Sequence, residues 1–169
     1  MLSIEKETNA DVSAIHQVNV DAFKQPNEAR LVDALRAAGA LTHSLVAKED
    51  GNVIGHLAVS PVTITDNGKE YHAVGLGPIA ISPSRQRTGI GKALINHLID
   101  SVLKESDNLL VVLGHPEYYP KFGFKPSLPF GIKSEYDVPQ EAFMALELKP
   151  GALNEISGVV RYHETFSQV

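Results

Sequence analysis

A chain of 169 residues with 43% apolar and 21% charged side chains is long enough to enclose its own core and has a globular composition. Its net charge of −5 argues against a general nucleic-acid binder, which needs a basic surface, but leaves room for a small anion held by a few local cations. The lack of cysteine excludes disulfides, thiolate metal sites and a cysteine nucleophile. No run approaches the ~20 apolar residues that span a bilayer, and none reads as a secretory leader, so the expectation is one cytoplasmic domain, residues 1–169, with no membrane contact.

Leu2 to Glu7 alternate as a short strand. Residues 8–23 read as a helix with Val12, Ile15, Ala22 and Phe23 on one face, opened by Thr8 and Asp11 at capping-box spacing with Asp for the usual Glu. A second helix follows from Asn27 and closes at Gly39. Two strands joined at Asp50-Gly51 come next, and Asn67-Gly68 repeats the device to make a third. From Gly89 to about Ser106, Ile90, Leu94, Leu98 and Val102 recur every fourth position and Ile95, Ile99 and Leu103 widen the stripe, which predicts a helix with one buried face. The apolar run from Leu109 to Gly114 predicts a strand covered on both faces. His115–Phe124 reads as a turn or short helix, Pro126–Pro129 as a loop, and residues 141–148 and 158–166 as two last strands. The strand–helix–strand unit from about Tyr71 to Gly114 demands a right-handed crossover and a parallel pair, while the tight turns demand antiparallel ones. The expected class is α/β, with a mixed, mostly antiparallel sheet of six to seven strands and helices on both faces.

Between the third strand and the third helix stands SPSRQRTGIGKALI, from Ser82 to Ile95. A triphosphate-binding loop, G-x-x-x-x-G-K-[ST], ends well at Gly91-Lys92 but puts Gln86 at its first glycine and Ala93 at its magnesium-binding hydroxyl. A dinucleotide fingerprint fits Gly89 and Gly91 and fails at Leu94; its looser form at Gly75, Gly77 and Ala80 precedes a strand, not a helix. What remains is Q-x-x-G-x-G over Gln86, Arg87, Thr88, Gly89, Ile90 and Gly91. A helix N-terminus offers free N–H groups and a partial positive charge, together an anion site. Gly89 and Gly91 let the backbone approach a bulky pyrophosphate, and Arg87 and Lys92 add charge. The plainer reading is a tight strand-to-helix turn with surface cations around it.

This pattern within GPIAISPSRQRTGIGKALI, with YYPKFGF (Tyr118–Phe124) one helix and one strand downstream, resembles the acyl-CoA pyrophosphate loop and the Y-x-x-x-G-F signature of the GNAT superfamily of N-acetyltransferases. The phrases LGPIAI, LGHPEYYPKFGF and KPGAL are similar to its YhbS-like branch. The resemblance implies a single-domain GNAT-like fold with a splayed central parallel strand pair. It implies acetyl-CoA as acetyl donor, its pyrophosphate on Gln86, Arg87, Thr88, Gly89, Ile90, Gly91 and Lys92 and its pantetheine arm along the main chain of Ile79, Ala80 and Ile81. Pro78, which cannot donate to a ladder, suits a break that helps open the gap.

The implied reaction is attack of a primary amine on the thioester, with a backbone N–H near Ile79–Ile81 facing the oxyanion. Tyr119 holds the family's general-acid position, with Tyr118 as its rival; Phe122 and Phe124 read as packing residues. The departing thiol has an ordinary pKa of ~8.5, so the acid contributes at the low end of ~10²–10⁴-fold. Many members carry a carboxylate on the strand before the loop where this chain has Gly77, which leaves His72, His115 and Glu117 as base candidates, each better read as a solvated surface residue. The seven histidines show no metal-binding spacing, so no metal is expected. The amine is not identified by the residues, and relatives suggest a homodimer through the C-terminal strands. The alternative is a catalytically silent acyl-CoA-binding sensor or regulatory module.

Overall fold

The computed structural model describes residues 1–103 and 107–168. The chain packs as two compact units, the first Met1–Ser60, Gly77–Val102 and Glu164–Val169, the second Pro61–Leu76 and Leu103–His163.

In the first unit, β1 (Leu2–Lys6) runs antiparallel to β2 (His43–Glu49), and β2 antiparallel to the first part of β3 (Asn52–Asp66). The end of β4 (Lys69–Ile81) completes this order beyond β3. Asp50 and Gly51 both take left-handed φ, 52° and 83°, as a two-residue hairpin turn requires. Thr8 donates its N–H to Asp11 Oδ2 at 2.8 Å, as the capping box predicts, although the helix begins with a 3-10 turn before α1 (Val12–Phe23). α2 (Asn27–Ala37) ends before Gly39, whose φ is 70°.

The buried face of α1 differs from the expected one. Ile15, Val18 and Asn19 are buried, while Val12, Ala22 and Phe23 are half-buried. The stripe turns toward a polar residue because Asn19 Nδ2 donates to Ile15 O at 2.9 Å and meets His56 Nδ1 at 3.3 Å. Ile15 packs with Val32 of α2 and with Val46 and Ala58 of the strands. α3 (Ile90–His97) continues as a π-turn, Leu98–Val102, with Ile90, Leu94, Ile95 and Leu98 buried as the stripe predicts. The expected helix end near Ser106 lies outside the described residues. No helix among the described residues is long and apolar enough to cross a membrane.

In the second unit, Asn67 and Gly68 repeat the left-handed turn, with φ of 49° and 84°. β5 (Leu109–Leu113) joins β4 in a parallel ladder of three pairs, Val74 with Leu110, Gly75 with Val111 and Leu76 with Val112. β6 (Lys125–Pro126), β7 (Ile132–Ser134), β8 (Phe143–Glu147) and β9 (Gly158–Tyr162) follow, with α4 (Ala152–Glu155) before β9. β8 runs antiparallel to β5 and to β6, β9 antiparallel to β3, and β7 parallel to β9. The sheet is therefore mixed, and β6 and β7 raise its strands to nine among the described residues. Both are too short to show a period of two, and β6 ends on Pro126, the first residue of the stretch expected to be a loop, which continues into a 3-10 turn, Leu128–Phe130. Leu109 to Val112 are buried, as a strand covered on both faces requires. Leu109 and Val111 pack in a core that includes Val62, Ile64, Ile132, Phe143 and Val160.

Candidate functional site

The expected donor-binding residues lie together in the first unit. Ile79, Ala80 and Ile81 end β4 at the edge of that unit's strand order, so one row of their main-chain groups has no strand partner within the unit. Ala80 is buried and the two isoleucines are half-buried, so their side chains pack against the unit. The chain then turns. Ser82 N–H donates to Ile54 O at 2.9 Å, and a 3-10 turn runs over Pro83–Arg85, where the Arg85 guanidinium meets the Glu49 carboxylate.

Two of the expected phosphate residues hold the loop itself. Gln86 Nε2 donates back to Ile81 O at 3.1 Å, and the Thr88 hydroxyl donates to Arg85 O. Arg87 sits at φ 65°, and Gly89, at φ 91°, caps α3. A Cβ at Gly89 would meet nothing within 4 Å, so its φ, not crowding, selects glycine. Ala93 N–H closes the first helical bond on Gly89 O at 3.0 Å, which leaves the N–H groups of Ile90, Gly91 and Lys92 without a helical acceptor. Arg87 and Lys92 are exposed and form no ion pair among the described residues.

Gly55 seats this helix start. A Cβ there would stand 3.1 Å from both Ile81 Cδ1 and Ile90 Cγ2. Nothing in the spacing of Gly55 announces this, because the contact joins three separate segments.

Tyr119 belongs to the second unit. Gly114 N–H donates to Ala142 O at 2.9 Å at the end of β5. His115 O accepts from Tyr118 N–H at 3.1 Å, and a 3-10 turn follows over Tyr119–Phe122. Gly123 at φ 98° ends it. The Tyr119 ring makes edge-on contacts with Tyr118 at 5.2 Å and with buried Phe124 at 5.6 Å, which confirms Phe124 as a packing residue. Burial, with Tyr118 beside it, pushes the Tyr119 phenol up to about 12; burial raises Tyr118 as well. Both phenols therefore keep their protons at neutral pH.

The base candidates stay at the surface. His72, with Glu70 3.7 Å away, is exposed, as are His115 and Glu117. Gly77 sits at φ 132°, a conformation that disfavours any residue with a Cβ, so the local backbone itself keeps a carboxylate off this position.

A third group escaped the sequence reading. Arg36 donates to both oxygens of Glu7, at 2.8 and 2.9 Å. The Ser44 hydroxyl donates to Glu7 Oε1 and meets His56 Nε2 at 2.8 Å. Ser44 thus accepts from His56 Nε2–H, and the Nδ1 of His56 accepts from Asn19. His56 is fully buried, and desolvation takes its pKa down to about 4, so it is neutral. These five residues come from five separate segments, and no motif links them.

Residues 3–127 match the acetyltransferase (GNAT) domain family. The chain is 33% identical over 166 residues to the uncharacterized N-acetyltransferase YhbS of Escherichia coli K12, covering 98% of each. The crystal structure of YhbS from Escherichia coli in complex with CoA matches with a TM-score of 0.91, covering 98% of this chain and 92% of that one. A GNAT family acetyltransferase from Brucella melitensis in complex with acetyl-CoA matches with a TM-score of 0.81 at 38% identity, covering 98% of both.

Proposed function

The chain belongs to the GNAT acetyltransferase family, and from that premise we propose that it transfers the acetyl group of acetyl-CoA to a primary amine. The observation that carries this is the start of α3: three N–H groups without a helical acceptor, flanked by two exposed cations in no ion pair among the described residues, on a protein of net charge −5. Acetyl-CoA supplies an acetyl thioester on a long arm that ends in a pyrophosphate. The N–H groups of Ile90, Gly91 and Lys92 take that pyrophosphate, with Arg87 and the Lys92 ammonium adding charge. Gln86 and Thr88 shape the loop from within. The main chain of Ile79, Ala80 and Ile81 pairs with the amides of the arm as an added strand would.

Tyr119 is the proton donor. With its own pKa at about 12 against ~8.5 for a free thiol, it stabilises the departing sulfur by donating a hydrogen bond, and complete transfer from it is uphill. Its contribution therefore falls near ~10²-fold, the low end for general acids. No side chain is assigned to strip the amine, whose ordinary pKa is ~10.4. The amine arrives neutral or loses its proton through water. Residues 1–169 work here as one catalytic domain.

The test is a panel of primary amines with acetyl-CoA, followed by thiol release. We expect turnover with at least one amine, kcat/KM rising with pH without a break near 6.5, and a roughly 10²-fold lower kcat in Tyr119→Phe at unchanged CoA affinity. The second reading, a silent acyl-CoA-binding module, is favoured by the backbone at Gly77. It prevails if the protein binds CoA and releases no thiol with any amine.

A further inference from the structure

We propose that Gly114 is a positioning residue for Tyr119: by carrying no side chain it leaves the seat in which the phenol ring lies. This rests on the reading of Tyr119 as proton donor and says what holds that donor in place. A Cβ built on Gly114 would stand 2.2 Å from Cε2, 2.8 Å from Cδ2 and 3.2 Å from Cζ of Tyr119. The first two are closer than any real carbon contact of this kind. The backbone gives no other reason for glycine here. Nine glycines of this chain take positive φ, and Gly114 is not among them. No left-handed φ selects glycine here, and the ring stands where a side chain would begin.

Neither partner can easily retreat. Gly114 is tied to Ala142 O through its N–H, at 2.9 Å. The ring is held by Tyr118 and by Phe124, which is itself buried. A methyl group at 114 must therefore turn or tilt the ring. The hydroxyl, at the far end of the ring, moves most. A misplacement of about 1 Å in a catalytic group costs on the order of 10²-fold in rate. The glycine is thus explained by the ring five residues later in the chain.

The experiment is a pair of double-variant cycles. In the first, Gly114→Ala, Tyr119→Phe and the double variant are assayed with acetyl-CoA and the most active amine of the panel. Gly114→Ala should lower kcat by roughly 10- to 100-fold at unchanged KM for acetyl-CoA. The double variant should be no slower than Tyr119→Phe alone, because no donor is left to displace. A double variant slowed by the product of the two single effects would overturn the proposal.

The second cycle measures thermal melting of Gly114→Ala in the native and the Tyr119→Ala backgrounds. The melting temperature should fall in the first and hold in the second, where the ring is gone. Equal losses in both would overturn the seat even if Gly114→Ala alone folds too poorly to assay. If Tyr119→Phe keeps full kcat, the donor reading falls and the catalytic meaning of the seat falls with it, while the melting cycle still decides the contact.

Discussion

The first unit hides polar chemistry and the second hides almost none. Asp11, Asn19, Ser44, His56, Ser60 and Thr165 are buried in the first, and Ser127 is the one buried polar residue of the second among those described. The candidate functional groups divide the opposite way. In the first unit they are main-chain N–H groups on an exposed loop; in the second they come down to one phenol packed among aromatic rings. An interior specified by hydrogen bonds is directional but exposes the fold to protonation. A main-chain ligand site survives most side-chain changes and yields to those that fill its space. A side-chain donor needs packing to aim it, and the apolar second unit supplies that.

The largest way to break this comparison is acid. His56 has a folded pKa of about 4 against an ordinary 6.5, so the unfolded chain takes up a proton over that range and the folded one does not. Stability is fully present above pH 6.5 and falls as pH drops toward 4, by roughly 3 kcal/mol in total. Glu7 adds in the same direction below that. Burial raises its pKa, but the hydrogen bonds from Arg36 and Ser44 and the attraction of Arg36 outweigh this and hold it below its ordinary value. Hydrogen exchange at pH 7 and pH 4.5, corrected for intrinsic rates, should show β2 losing protection before β5 and β8. Uniform loss would contradict the division.

A smaller effect is expected from Gly55→Ala. Its Cβ would press on Ile81 and Ile90, for about 1–3 kcal/mol of overpacking, and the shift of Ile90 should weaken CoA binding alongside. Lost stability with unchanged CoA affinity would separate the packing from the loop. Smaller still is Ser60→Ala. The buried Ser60 hydroxyl has no hydrogen-bond partner among the described residues, so its removal should raise stability by roughly 1 kcal/mol in urea titration. A loss would mean that the hydroxyl is satisfied in solution.

The parts of this molecule that were legible in its sequence are those in which one short segment decides its own shape. Asp50-Gly51 and Asn67-Gly68 announced both hairpins, because left-handed φ at two successive residues favours those types. Gln86–Gly91 announced the turn into α3 and its start at Ile90. The stripe from Ile90 to Leu98 announced the buried face of α3. What was hidden depends on distant segments. The α1 face turned toward Asn19 because β3 presents His56 to it. β6, β7 and α4 are too short to carry a period. The Gly77 backbone explains the missing carboxylate, yet the residue alone does not reveal its φ. Tyr119 was identified by resemblance to a family signature; Gly114, just upstream, was not, because its role appears only once the ring is seen above it.

The central claim is that the start of α3 holds the donor's pyrophosphate through its main chain. Gly91→Glu tests it most directly, by titration calorimetry with CoA and thermal melting of the same sample. A carboxylate in the first turn of a helix favours the fold by about 0.3–1 kcal/mol, so the melting temperature should hold or rise. The same carboxylate occupies and repels the anion site, and CoA affinity should fall by about 100-fold or more, some 2.7 kcal/mol. A folded Gly91→Glu protein that binds CoA as tightly as the parent would contradict the account.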